Sequence, residues 1–328
     1  MQQIQDATGR AVTRSRETEH RYAELARRLI ARAARAHNCP GDCVSLENVT
    51  EQVLADTRRA SGSTLRQYRA AIRYAVEHGW LALDEPAWRR LARPPAGHGT
   101  KRGALTSAKK SKRITDRDLR QIDTALRRSR SQYAGDLRAL LLVNRLIGAR
   151  ICEWRWAQFL KAHPATGGPA LVLASGKTTN GRGNGATRTL FLETMSRDEV
   201  TAVAHCAGRL AGRHNAGTFE RWQSGAAKLL QRVCRRLWPR RKRHITLYTT
   251  RHAFAARAKC THSRQEVAAM MGHGAAATAG LHYARALRGQ ALRHTQLPQP
   301  AASEVATVRL DGMSRFARAA TPRNGPAP

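Results

Sequence analysis

The chain has 328 residues, of which 58 are lysine or arginine and 23 are acidic, for a formal net charge of +35. That excess is far larger than solubility needs, so the expected partner is a polyanion, foremost nucleic acid. No apolar run is long enough to span a bilayer, and the first twenty residues lack the apolar core of a secretory signal. Six scattered cysteines offer no second ligand pair for a four-ligand zinc site. They read as reduced and structural, in a cytoplasmic protein.

Residues 1–17 are polar and aperiodic. From about residue 18 the pattern turns helical: Tyr22, Leu25, Leu29 and Ile30 share one face, and Leu46, Val49, Val53 and Leu54 share the next. A third helix opens with Ser63 as its expected N-cap, carries Leu65, Tyr68, Ile72 and Val76, and stops at Gly79. "ARPPAG" then breaks the pattern near residue 95. The segment "GTKRGALTSAKKSKR" holds six basic residues and no acidic one, and reads as an exposed linker, either lying along a phosphate backbone or merely solvated.

Beyond it, Thr115 and Asp118 form a capping box for a helix with Leu119, Ile122 and Leu126 on its buried stripe. An apolar helix follows, up to about Gly148. "PALVLAS" and "TRTLFLE" read as two strands flanking the Gly/Asn-rich loop "GKTTNGRGNGA", which makes a hairpin with a long tip. Further helices start at the capping box Ser196 and Glu199, in "RWQSGAAKLLQRVCRRLW", and at the box Ser263 and Glu266, the last stopping at Gly272. The Pro/Ala-rich tail past 295 offers one short helix near "MSRFARAA". There is no internal repeat.

Four segments of this second half carry polar residues that local structure does not require. In "IGARICEW", Arg150 follows a helix stop and presents a planar fork suited to phosphate, with Glu153 placed to orient it. Lys177 sits at the hairpin tip, where a lysine can protonate a leaving oxygen. "TLYTTRHAFAARA" holds Tyr248, Arg251 and His252; a tyrosine beside an arginine can bind a phosphate or attack one. "MMGHGAAATAGLHYARA" holds His273 and Tyr283. Taken singly, each has a plainer reading: a surface ion pair for Arg150 and Glu153, a half-buried helix aromatic for Tyr283, a helix-end histidine for His273.

Taken in order, the segments resemble the catalytic domain of the tyrosine recombinases, the phage-integrase-like site-specific DNA recombinases. "GARICEW" is similar to their first arginine box, "GKTTNGRGNGATRTLFL" to the lysine hairpin, "LYTTRHAFAARA" to the second arginine box, and "MGHGAAATAGLHYARA" to the Gly-His and nucleophile box. "STLRQYRAAIRYAVEHGW" resembles the end of the helical core-binding domain of the family. The likeness spans roughly residues 18–290. It implies Tyr283 as nucleophile, Arg150 and Arg251 as phosphate-binding arginines, Lys177 as the catalytic lysine, His273 as a second site histidine, and Glu153 as the acidic residue beside the first arginine. Tyr248 stands where relatives mostly carry histidine, and the interval from His273 to Tyr283 is one residue longer than the usual pattern. His252 and His282 receive no catalytic role.

The expected fold is therefore mainly α with a small β-hairpin or sheet. The expected domains are a flexible N-terminus (1–17), a helical core-binding domain (18–97), a basic linker (98–113), an α+β catalytic domain (114–295), and a tail (296–328) that is disordered or docks on a neighbouring subunit. The resemblance implies strand exchange on double-stranded DNA through a 3′-phosphotyrosyl intermediate, by a homo-tetramer on two DNA sites, with no metal, ATP or other cofactor. Two alternatives remain open: a type IB topoisomerase-like strand transferase, and a non-catalytic DNA-binding accessory protein of the same fold.

Overall fold

Side-chain capping sets the starts of six helices among the described residues. A computed structural model describes residues 14, 16–58, 60–98, 110–176, 183–283 and 296–310, in two units that divide between Leu105 and Thr106. The first unit holds four helices among its described residues: α1 (Arg16–Ala36), α2 (Leu46–Thr57), α3 (Gly62–Glu77) and α4 (Glu85–Ala92). Leu29, Leu46, Val49, Val53, Leu65, Ile72 and Leu91 close its core, with Tyr22, Leu25, Ile30, Tyr68 and Val76 packed around them. α3 is capped by Ser61 rather than the expected Ser63. The extended backbone of Ser61 aims its hydroxyl at the Thr64 amide, 3.2 Å away, while Ser63 is already inside the helix. Gly79 ends the helix at φ +70°, as its position predicted.

The second unit contains α5 (Asp116–Arg127), α6 (Ala134–Ile147), a 3₁₀ segment (Ile151–Trp156), β1 (Gln158–Leu160), β2 (Ala170–Ala174), β3 (Thr187–Phe191), α7 (Arg197–Asn215), α8 (Phe219–Leu237), α9 (Thr249–Thr261), α10 (Arg264–Met270), α11 (Ala277–His282), β4 (Gln299–Pro300) and α12 (Ala302–Ala306). The boxes at Thr115–Asp118, Ser196–Glu199 and Ser263–Glu266 all form. α6 is the axis of the unit: it packs against α5, α7, α8 and α9, with Leu137, Leu140, Leu141 and Ile147 in the common core. No helix among the described residues is long and apolar enough to cross a membrane.

The expected hairpin is present as β2 and β3, paired antiparallel with Leu171 opposite Leu190 and Leu173 opposite Arg188. Two short strands flank it, giving the order β1-β2-β3-β4 among the described residues. β4 comes from the tail. Residues 297–309 thus build onto their own unit, where the sequence led to disorder or docking on a neighbour. Thr194 donates to the Leu297 carbonyl (2.7 Å), the Thr189 amide donates to Glu304 (2.6 Å), and Arg309 pairs with the loop at Gly274–Ala276. The physical reason is the open edge of β3, whose unpaired backbone groups need partners. The end of the basic linker is also docked. The Ser111 amide donates to the His244 carbonyl (2.8 Å), and Thr249 donates its hydroxyl hydrogen to the Ser111 carbonyl (2.9 Å). The helix expected near "MSRFARAA" lies outside the described residues.

Glu304 makes this docking sensitive to pH. Burial lifts its carboxyl to about 7, against the opposing pull of the Thr189 amide and Arg188. A carboxyl whose folded value is raised binds its proton more tightly in the folded state, so its contribution is present in acid and is lost as pH rises through about 7. Glu304→Gln is expected to raise the melting temperature at pH 8 by about 2 °C, with the effect shrinking as pH falls towards 4, measured by thermal denaturation at pH 8 and pH 4.

Candidate active site

The site grows from the C-terminal end of α6. Gly148 ends that helix at φ +69°, and a Cβ there would sit 2.1 Å from the Phe254 ring. Only glycine meets both conditions, so Gly148→Ala is expected to cost more than about 2 kcal/mol in urea denaturation. The turn lets α9 approach α6 closely and delivers Arg150 to the start of the 3₁₀ segment. Asn144, fully buried, fastens three pieces together: its amide nitrogen donates to the Ala149 carbonyl (3.1 Å) and Thr250 (2.9 Å), and its oxygen accepts from the Trp154 indole (3.1 Å).

Glu153 sits at the centre. It is 1 % exposed. Its carboxylate accepts from the Arg150 amide (2.6 Å), the Arg150 guanidinium (2.6 Å), the Arg188 guanidinium (2.6 Å) and the Gly176 amide (3.1 Å). Arg251 lies 3.9 Å away. Burial alone would raise this carboxyl, but the charges of Arg188, Arg251 and Arg150 outweigh it and hold the group well below the usual carboxylate range.

Arg251 comes from the first turn of α9. Tyr248, Arg251 and His252 stand at i, i+3 and i+4, so they share one face. Thr246 and Thr249 tie the preceding turn through a 2.9 Å bond from the Thr246 amide to the Thr249 hydroxyl. Arg251 is fully buried. It donates to the carbonyls of Gly148 and Met271 (2.6 Å for the latter), to His273 Nε2 (3.2 Å), and through Nε to the Tyr283 hydroxyl (3.0 Å). A guanidinium at a helix N-terminus adds positive charge to an end that already favours anions.

His273 follows the left-handed Gly272 at the end of α10 and is 3 % exposed. Burial and the surrounding arginines push its imidazole well below the usual histidine value, so the ring is neutral. With Nε2 accepting from Arg251, the proton resides on Nδ1, which has no partner among the described residues.

Tyr283 stands just after α11 and turns inward, 8 % exposed. Its hydroxyl lies 2.5 Å from that of Tyr248, which is 39 % exposed. The two phenols respond oppositely. Burial pushes Tyr248 up to about 12, and sharing a hydrogen bond with Tyr283 adds to the rise. Burial also acts to raise Tyr283, but the Arg251 charge and hydrogen bonds from Tyr248 and Arg251 prevail and lower it. The direct bond from Arg251 Nε favours the ionised form of Tyr283 over that of Tyr248.

The fold brings Arg150, Glu153, Tyr248, Arg251, His273 and Tyr283 into one site. Lys177 lies outside the described residues; its chain neighbour Gly176 is fastened to Glu153. Sequence reasoning passed over two members. Arg188, on β3, is fully buried and bonded to Glu153. His252, given no role by the sequence, packs its ring 5.1 Å from Tyr283 and 5.3 Å from Tyr248, and burial with the charges of Lys112, Arg251 and Lys259 drops it to about 4. The signal for Arg188 was a charge in an inward strand position; for His252 it was the i+4 spacing from Tyr248.

With this geometry in place, the solved structures offer a clear likeness. A lambda integrase dimer bound to a COC′ core site superposes with a TM-score of 0.51 at 13% identity, covering 85% of this chain and 76% of that one. The fold is that of the tyrosine recombinases. A lambda integrase tetramer bound to a Holliday junction is also similar (TM-score 0.47, 12% identity, 83% and 79% covered), as is the Tn1549 transposon integrase in complex with transposon right end DNA (TM-score 0.40, 15% identity, 82% and 95% covered). No protein-family model matches the sequence, and no curated protein matches it. The recombinase likeness is therefore one of fold, and the chemistry must be argued from the side chains.

Proposed function

We propose that the protein is a site-specific DNA recombinase that cuts and rejoins strands through a tyrosyl ester. The observation that carries this reading is the Tyr283 hydroxyl held 3.0 Å from Arg251 in a site where three guanidinium groups share one carboxylate. Three charges against one leave a buried positive excess. A phosphodiester anion offsets it, and offsets it more as negative charge builds on the phosphoryl oxygens in the transition state.

Tyr283 attacks the scissile phosphorus and gives up its phenolic proton to solvent, the bond to the 5′ oxygen breaks, and that oxygen leaves as a hydroxyl with a proton from Lys177. The DNA stays attached through a 3′-phosphotyrosyl bond. A 5′ hydroxyl from a partner strand then attacks the same phosphorus, returns a proton to Lys177 and releases Tyr283, which regains its proton from solvent. One ester replaces another, so the exchange balances without an energy source. Arg150 and Arg251 bind the non-bridging oxygens, and the Nδ1–H of His273 donates a further hydrogen bond. Residues 18–97 serve as the helical DNA clamp and residues 114–295 as the catalytic domain. The net charge of +35 supports a DNA partner, and lambda integrase, whose fold this chain shares, is seen as a dimer on a DNA core site. Here the working assembly is a homo-tetramer joining two sites of a mobile element in the cytoplasm.

The test is a nicked duplex carrying DNA that flanks the gene, from which the short fragment bearing the new 5′ hydroxyl diffuses after cleavage, so that the ester is trapped. A covalent adduct on a denaturing gel, with strand exchange between two duplexes, is the expected result. Relaxation of supercoils by a monomer, without joining of a second duplex, would instead favour the topoisomerase-like alternative. Binding without an adduct on any cognate site would favour the accessory protein, an alternative kept open by Tyr248 at the usual histidine position.

A further inference from the structure

Arg188 occupies a position where strand pattern calls for an apolar residue. Along β3 it falls on the same inward face as Leu190 and lies opposite Leu173, both fully buried. Placing a guanidinium there is costly. A buried ion pair is often no more stabilising than apolar residues of the same volume, so stability alone does not account for it. What Arg188 does is join three parts of the site. Its Nε donates to the Met270 carbonyl (2.9 Å) and one terminal nitrogen donates to Glu153 (2.6 Å). The other lies against Gly272, where an added Cβ would come within 3.0 Å of it. Arg251 makes the matching pair of contacts, to the next carbonyl along, Met271 (2.6 Å), and to Glu153 at 3.9 Å.

The two arginines therefore grip successive carbonyls at the end of α10, and both face the same carboxylate. We propose that Arg188 is a positioning residue for the strand-transfer reaction: it locks the β2–β3 hairpin, Glu153 and the Gly272–His273 turn into one frame, so that the Arg150 fork and the His273 ring meet the same phosphate. This rests on the recombinase reading above. The hairpin is included because Glu153 also holds the Gly176 amide, next to Lys177. Arg188 has no exposure to solvent, so it acts through its neighbours.

The experiment compares wild type with Arg188→Met, Arg188→Lys and the double variant Arg188→Met/Glu153→Gln. Three quantities are read: single-turnover adduct formation on the nicked duplex, the dissociation constant for the same duplex, and amide hydrogen exchange at residues 270–276. Arg188→Met and Arg188→Lys are expected to slow adduct formation by about 100-fold with DNA affinity within about threefold. The double variant is expected to be little slower than Arg188→Met, because residues that act as a unit are not additive. Exchange at Gly272 and His273 is expected to rise in each folded variant. Arg188→Lys keeps the buried charge, so it serves where Arg188→Met fails to fold. An adduct rate within threefold of wild type in a folded variant overturns the inference. If wild type forms no adduct at all, the recombinase reading fails, and the exchange data still decide: protection at Gly272 and His273 unchanged without Arg188 would mean that it does not hold the turn.

Discussion

Tyr283→Phe is expected to abolish covalent DNA attachment, lowering adduct formation at least about 10⁴-fold while leaving DNA binding intact. Tyr248→Phe is expected to retain the adduct at a rate reduced about 10- to 100-fold. The two phenols touch, so proximity to Arg251 does not separate them. Their electrostatics do. Arg251 Nε donates directly to Tyr283, and Tyr248 adds a second hydrogen bond, so the oxygen of Tyr283 gains from ionising. Burial pushes Tyr248 up to about 12, so it keeps its proton and can donate to the Tyr283 oxygen once that oxygen ionises. Removing that donor with Tyr248→Phe raises the Tyr283 value, so the rising limb of the pH–rate profile should move to higher pH. Single-turnover cleavage between pH 6 and 9.5 measures it. An adduct that survives Tyr283→Phe but vanishes in Tyr248→Phe would reverse the assignment. Tyr248→His restores the residue common in relatives, and its rate shows whether a phenol at this position tunes the chemistry or weakens it.

Glu153→Leu is expected to destabilise the second unit by about 3–5 kcal/mol and to eliminate adduct formation. The loss is large because the carboxylate compensates Arg188 and Arg251, both without solvent exposure, and binds Arg150 as well. Leucine fills the volume and leaves those charges buried without a counter-ion. The carboxyl of Glu153 is held far below its unfolded value. Its contribution is present above the unfolded value of about 4.3 and is lost as pH falls through the folded one. The gap between wild type and Glu153→Leu should be full at pH 7 and narrow only in acid. Urea denaturation at pH 7 reads the full gap, and pH 4 reads only the start of its narrowing, because the folded value lies far lower. Glu153→Gln keeps the hydrogen-bonding shape without the charge and should fall between the two.

Much of this architecture was legible in the sequence because it is decided locally. A serine or threonine three residues before an acidic side chain satisfies two orphan amides wherever it occurs, so the starts of α5, α7 and α10 could be placed without tertiary information. Gly79, Gly148 and Gly272 marked helix ends because they adopt positive φ. "PALVLAS" and "TRTLFLE" marked two strands because they flank a Gly/Asn-rich loop. Ser61 and Ser63 show the limit of such reasoning: both can cap, and the path of the backbone into the helix selects one.

The order of the polar segments was likewise legible, and through resemblance it pointed to Arg150, Glu153, Arg251, His273 and Tyr283. What sequence left undecided depends on contacts between residues far apart in the chain. Arg188 is one of 58 cations, and only its meeting with Glu153 and Met270 distinguishes it. The tail carries no periodicity, since a two-residue strand containing proline is too short to show one; the exposed edge of β3 recruits it. The two tyrosines, thirty-five residues apart, were told apart in the sequence by resemblance alone. The tertiary structure sets both against one guanidinium and makes Tyr283 the readier to ionise, because a buried charge favours the phenol it donates to directly.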